Sequence, residues 1–197
     1  MKISILFLIF FIRVTFAESD NRLDELDPHR PDIEAQLREL DILYEIETGQ
    51  SPQLEMDLQS LLKPSCYRNS CPVWADVDKG LQKLYLYLDG VLTYTWPVST
   101  GKWGYETPDF DRHPNGRIYD RYTSTQYPDG DYNGLGNMPY AVFISGGYAI
   151  HGTTKSNWSK LGKRASHGCV RLHPDNAQIF NRLTRKFGIV GVWITVN

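Results

Sequence analysis

Between Lys83 and Trp96, apolar and polar side chains alternate on both sides of Asp89-Gly90. Leu84, Leu86 and Leu88 fall on one face, Lys83, Tyr85 and Tyr87 on the other, and Val91-Leu92-Thr93-Tyr94-Thr95-Trp96 follows the turn. A period of two is that of a strand, and Asp-Gly supplies the positive φ angles that a two-residue connection demands. The stretch therefore reads as a β-hairpin, ended by Pro97-Val98-Ser99-Thr100-Gly101. Two more short strands, Ala141-Val142-Phe143-Ile144 and Tyr148-Ala149-Ile150-His151, flank the turn Ser145-Gly146-Gly147 and leave His151 at a strand end. Ile189-Val190 and Val192-Trp193-Ile194-Thr195-Val196 finish the chain as strand. Pro174-Asp175 starts a helix carrying Ile179, Leu183 and Phe187, with Gly188 as its stop. Residues 73–197 thus read as a mainly β domain with one crossing helix.

The chain before residue 73 has other periods. Met1-Lys2, an apolar run from Ile3 to Ile12, and small residues at −3 and −1 (Thr15 and Ala17) match a signal peptide over residues 1–17. That run is too short for a permanent span, and no cysteine follows Ala17 to carry a lipid. Residues 18–30 are polar and charged, a flexible lead-in. Ile33, Leu37, Leu40 and Tyr44 then recur at helical spacing, as do Leu54, Leu58, Leu61 and Leu62, so residues 31–63 read as a helical hairpin packed on the main domain. With the Cys66/Cys71 loop it forms a unit over residues 31–72. Residues 101–137 are rich in Gly, Asp, Tyr, Arg and Asn without a period. Such a long connection is read as a lid or binding rim, its aromatic residues either gripping a polar ligand or pinning the loop.

Loss of the signal peptide removes Lys2 and Arg13 and no acid, taking the net charge from −2 to −4 with His neutral. No basic cluster points to nucleic acid. Export would place the three cysteines in an oxidising compartment. Cys66 and Cys71 flank Tyr-Arg-Asn-Ser, a spacing that closes a small disulfide loop, which leaves Cys169 as the reactive thiol.

Cys169 lies in Ser166-His167-Gly168-Cys169-Val170-Arg171-Leu172, downstream of His151-Gly152. A thiol attacks only as thiolate, and a nearby imidazole is the common means of making one near neutral pH. An inert core cysteine is a poorer reading, because Ser166, His167 and Arg171 around it would each need a buried partner. Zinc held by His151, His167 and Cys169 would lack a fourth ligand close in sequence. No metal and no cofactor is therefore expected. His113 and His173 have no supporting company, and Asn157-Trp158-Ser159 is a weak match to a glycosylation sequon.

His151-Gly152 with Ser166-His167-Gly168-Cys169-Val170-Arg171-Leu172 resembles the signature of the YkuD-type L,D-transpeptidases. Val98-Ser99-Thr100-Gly101, Glu106-Thr107-Pro108, Met138-Pro139-Tyr140 and Ala149-Ile150 fall in the order that family shows. The resemblance covers roughly residues 73–197 and implies a β-sandwich-like fold. It implies that Cys169 takes the acyl group of a peptidoglycan tetrapeptide stem, releases D-alanine, and passes the acyl group to an amine. That is work of cell-wall biogenesis and cell shape in the periplasm. Water as acceptor would make the same chemistry a carboxypeptidase or an amidase that releases a wall-linked lipoprotein. On the resemblance, His151 is the general base, its ring oriented by the carbonyl of Gly152. His167 and the amides of Gly168 and Cys169 shape the oxyanion side, Arg171, Ser166 and Tyr140 face the substrate, and carbapenem-type β-lactams inhibit. Two rivals are weaker. A non-catalytic wall-binding module would not need an intact Cys and both His residues, and a papain-like protease places its cysteine before its histidine.

Overall fold

The computed structural model describes residues 28–54, 65–124 and 130–197. A five-stranded sheet runs in the order β3-β2-β1-β8-β4, with β1 Val73–Asp78, β2 Lys83–Leu88, β3 Val91–Pro97, β4 Phe110–Arg112 and β8 Val192–Val196. A second sheet of three strands runs β5-β6-β7, with β5 Val142–Ser145, β6 Tyr148–Gly152 and β7 Val170–Leu172. Both sheets are mixed: β1 pairs with β8 and β6 with β7 in parallel, and the remaining ladders are antiparallel. Helix α2, Pro174–Phe187, makes the crossing from β7 to β8. One core unites the layers. Val73, Ala75 and Val77 of β1, Leu84 and Leu86 of β2, Val142 and Ile144 of β5, Ile150 of β6, Val170 and Leu172 of β7 and Phe180 of α2 are all buried in it.

The hairpin forms as expected, with positive φ at Asp89 and Gly90. Other elements differ from expectation. Ile189–Gly191 is a 3-10 turn rather than strand, because the chain has to reverse between α2 and β8 and the Gly191 N–H bonds back to Gly188. The buried seam of α2 is Ala177, Phe180, Asn181 and Thr184, while Ile179, Leu183 and Phe187 only flank the core. A half-polar seam is tolerated because Asn181 Nδ2 donates to the Tyr119 carbonyl and Thr184 Oγ1 to that of Phe180. The 101–137 stretch contributes β4, which pairs Phe110 with Val196 and extends the larger sheet.

Helix α1, Ile33–Thr48, is the first arm of the expected hairpin, and Leu58, Leu61 and Leu62 of the second arm lie outside the described residues. Its buried face is Ile33, Leu37 and Tyr44, which packs with Tyr119, Tyr122, Met138, Phe143 and Ala149. Each such burial stabilises by roughly 1.5–3 kcal/mol. Arg117 ties the helix down through Asp41, 3.0 Å, and Glu34, 3.1 Å. Burial works against the Arg117 charge, but those carboxylates outweigh it and hold its pKa above the ordinary value. The chain leaving the helix bonds to the main domain at Gly116 and Ile118.

Candidate active site

Strand register decides which side of the small sheet carries the chemistry. Ile150 is opposite Val170 and His151 opposite Arg171, so Ala149, His151 and Cys169 project to one face by the period of two. Ile150, Val170 and Leu172 project to the other, into the shared core. Cys169, immediately before β7, joins the cluster of Ala149, Phe143, Tyr122 and α1. The nucleophile candidate and the base candidate therefore share a face.

His151 is fully buried, and its Nδ1 lies 2.6 Å from the carbonyl of Gly152. A carbonyl only accepts, so Nδ1 carries the proton and Nε2 carries the lone pair. That carbonyl is itself held still. The Gly152 N–H bonds to Pro139 O at 2.8 Å, and a Cβ at this position would lie 2.9 Å from Pro174 Cα and 3.0 Å from Pro139 Cγ. A glycine is required here by close approach, and the reward is a rigid acceptor for the histidine.

The turn that presents Cys169 is bonded from within. Ser166 Oγ donates to the Cys169 carbonyl at 2.6 Å and accepts from the Gly168 N–H at 3.1 Å. Gly168 has φ of +121°, a conformation open mainly to glycine. The chain from Val98 to Lys102 backs the turn. Ser99 and Arg171 exchange both backbone bonds, and Ala165 and Ser166 both donate to Thr100 O. Buried Thr107 completes the support: its Oγ1 donates to Gly168 O at 2.7 Å and accepts from the Gly101 N–H at 2.9 Å. The Cys169 thiol donates to Gly147 O at 3.5 Å.

Lys102 brings a cation to the site, its Nζ 2.7 Å from His167 Nε2. An ammonium only donates, so in a neutral His167 the proton sits on Nδ1. Tyr105 stands edge-on to the same imidazole at 4.8 Å, with Lys102 over its ring. Buried Tyr122 has its phenol held un-ionised, first by burial and then by the charge Cys169 would carry. Lys102 and Tyr122 have no sequence signal beyond membership of an aperiodic loop, and Thr107 lies in the Glu106-Thr107-Pro108 motif with no role attached to it.

The remaining site residues are placed as follows. Arg171 is fully buried and gives Nη1 to the Ala165 carbonyl at 2.9 Å, so its described contact braces the turn that presents Cys169. Ser166 spends its hydroxyl on that turn, and the Gly168 amide is committed to Ser166. Tyr140 has its ring beside Arg182 of α2, 5.7 Å from the guanidinium. Cys66 and Cys71 are disulfide-bonded with Cα atoms 4.9 Å apart, next to β1 and away from the thiol. His113 is structural, between Ser65 Oγ and Val192 O, and His173 caps α2. Asn157 is buried and accepts from Lys160, which leaves the sequon no exposed amide. Among the described residues no group of three or more His, Cys, Asp or Glu side chains is placed to hold a metal ion.

Of the loop aromatics, Tyr119 and Tyr122 are buried and pin the loop, whereas Trp103 is 93% exposed. Tyr127 lies outside the described residues. Between α1 and this loop, Leu40, Tyr44, Tyr122, Arg121 and Asp131 help to line a cavity of about 330 Å³, whose lining does not include Cys169, His151 or His167.

The fold is similar to that of an L,D-transpeptidase from Mycobacterium smegmatis, with a TM-score of 0.51 and 22% identity over 64% of this chain and 59% of that one. It is similar to the LD transpeptidase LdtMt1 in complex with imipenem, with a TM-score of 0.53 and 22% identity over the same shares. This chain thus spans less than two thirds of either structure. No curated protein matches the sequence. The family model for the L,D-transpeptidase catalytic domain matches residues 72–194, which contain β1 to β7, the start of β8, α2, His151 and Cys169. The chain belongs to the YkuD family of L,D-transpeptidase catalytic domains.

Proposed function

We propose that this chain is a peptidoglycan L,D-transpeptidase that works through an acyl-enzyme on Cys169. The His151–Gly152 hydrogen bond carries the reading: it leaves a basic Nε2 on the face from which Cys169 projects. In the first step the Cys169 proton passes to Nε2 and sulfur attacks the stem carbonyl before the terminal D-alanine. The C–N bond breaks, a thioester forms, and His151 returns its proton to the departing amine. In the second step an amine from another stem, or a D-amino acid, attacks the thioester and the thiol is regenerated. On this reading the Lys102 cation, held 2.7 Å from His167 Nε2, would offset the negative charge that develops on the carbonyl oxygen.

The same reading takes the catalytic domain as residues 73–197 and the protein as exported to the periplasm. The charged and apolar start, and the Cys66–Cys71 disulfide, support export. Carbapenems would acylate Cys169 as strained acyl donors.

The test is mass analysis of a disaccharide-tetrapeptide incubated with the protein, with and without a D-amino acid. Cross-linked or exchanged product, absent with Cys169→Ala and with His151→Ala, is expected. Tripeptide plus D-alanine alone would make water the acceptor and the protein a hydrolase. No product from either would overturn the proposal.

A further inference from the structure

The face that carries the nucleophile is covered by a part of the chain outside the matched catalytic domain. Cys169 and His151 have no exposed surface, and His167 has 6%. A Cβ built on Gly168 would lie 2.9 Å from Pro28 Cγ, 3.1 Å from Tyr148 Cε1 and 3.4 Å from His29 Nε2. One built on Gly147, whose carbonyl accepts from the Cys169 thiol, would lie 2.6 Å from Ile33 Cγ1 and 2.9 Å from Pro28 Cα. Pro28 and Ile33 therefore press on the two glycines that border Sγ. His29 widens the cover, with its ring edge-on to Tyr148 at 5.6 Å and to Tyr105 at 6.0 Å, and Nδ1 3.3 Å from Tyr148 Oη. Pro28, read from sequence as part of a flexible lead-in, is thus buried against the site, with the exposed His29 at its rim.

An acyl donor needs a path to Sγ and room for a tetrahedral carbon beside it. The chain's own residues fill that room. The firm ties of α1 begin further along, at Glu34 and Asp41 to Arg117, at Asp41 to Tyr119 and at Glu47 to Arg121. Arg30 pairs locally with Asp32.

We propose that Pro28, His29 and Ile33 form an internal stopper on Cys169, seated where the acyl donor's backbone has to lie, and that the thiol reacts only while this segment is lifted. The inference rests on the reading of Cys169 as the nucleophile. It makes the N-terminal extension a regulator of the domain, since whatever draws residues 28–33 away switches the site on. Lifting need not undo α1, because its anchoring pairs lie beyond the stopper.

Cys169 holds the one thiol outside the disulfide, so iodoacetamide labelling followed by mass reads the stopper directly. The observed rate is the intrinsic thiol rate multiplied by the fraction of time the site is open. Native protein is expected to label at least roughly 100-fold more slowly than urea-unfolded protein. The double variant Pro28→Gly/His29→Gly, and separately Ile33→Ala, should each label roughly tenfold faster or more. Val77→Ala, which loosens the opposite core, should not. Native labelling as fast as in urea, no acceleration in either stopper variant, or equal acceleration by Val77→Ala would each overturn the proposal. Labelling asks nothing of peptidoglycan. Accelerated labelling without stem turnover would keep the stopper and sink the transpeptidase, and turnover by a protein whose thiol labels at the urea rate would do the reverse.

Discussion

Replacing Thr107 by Val keeps the shape of the side chain and deletes the hydroxyl that joins the 101–107 loop to the Cys169 turn. Thr107 is 3% exposed, and both of its partners are backbone groups, the Gly101 N–H at 2.9 Å and the Gly168 carbonyl at 2.7 Å. Loss of the oxygen strands one buried donor and one buried acceptor. Leaving such a group unsatisfied costs about 1–3 kcal/mol, less for a carbonyl with a second lone pair. The added methyl returns about 0.8 kcal/mol of apolar transfer. The net cost is about 2–3 kcal/mol, which in a domain of this size lowers the unfolding midpoint by roughly 5–10 °C. Guanidinium unfolding followed by tryptophan fluorescence, with an unchanged m-value, measures it. Thr107→Ser retains both bonds and should recover most of the loss. A Val variant within about 0.5 kcal/mol of the parent would refute the reasoning.

Other residues yield sharper signatures. Lys102→Met removes the donor on His167 Nε2 and the cation beside the turn, so the pH midpoint of Cys169 alkylation should rise, with Lys102→Arg restoring it; an unmoved midpoint would count against a positioning role. Tyr122→Phe deletes a buried hydroxyl that has no hydrogen-bond partner among the described residues, and the melting temperature should hold or rise. A loss above about 1 kcal/mol would contradict that. Burial alone would raise the Asp120 carboxyl, but Arg182 and Arg185 overcome it and hold its pKa below the usual carboxylate range. Its stabilising effect is therefore complete above the unfolded value near pH 4 and disappears as pH falls through the lowered folded value. Melting temperatures from pH 7 down to about 2 should show an acid decline that Asp120→Asn partly flattens.

Legibility from sequence followed the locality of the signal. The β2–β3 hairpin was plain because alternation and the Asp89-Gly90 turn are both encoded within a few residues. The His151 and Cys169 stretches were plain because the chemistry sits in contiguous residue types. Strand β7 escaped notice because three residues are too few for a period, and β4 because Phe110-Asp111-Arg112 is a strand only by pairing with β8. The apolar residues of α2 do not by themselves reveal its buried seam, because tertiary partners admit Asn181 and Thr184 to the core. The contacts of Lys102 and Thr107 are not legible for the same reason. Each meets its partner 61 or more positions away, and no local pattern records such a meeting.

Arg171 and Ser166, expected to face the substrate, also hold the turn that presents Cys169. Each is polar, close to Cys169 and fully buried, and each gives its described hydrogen bonds to the Ala165–Cys169 turn. A turn built on Gly168 at φ +121° cannot rely on local propensity to hold its shape. It is clamped from several directions at once: Ser166 inside, Thr107 across, Thr100 behind and Arg171 below. The stopper extends the logic. Once the turn is rigid, access to Sγ becomes the remaining variable, and residues 28–33 lie where access is decided.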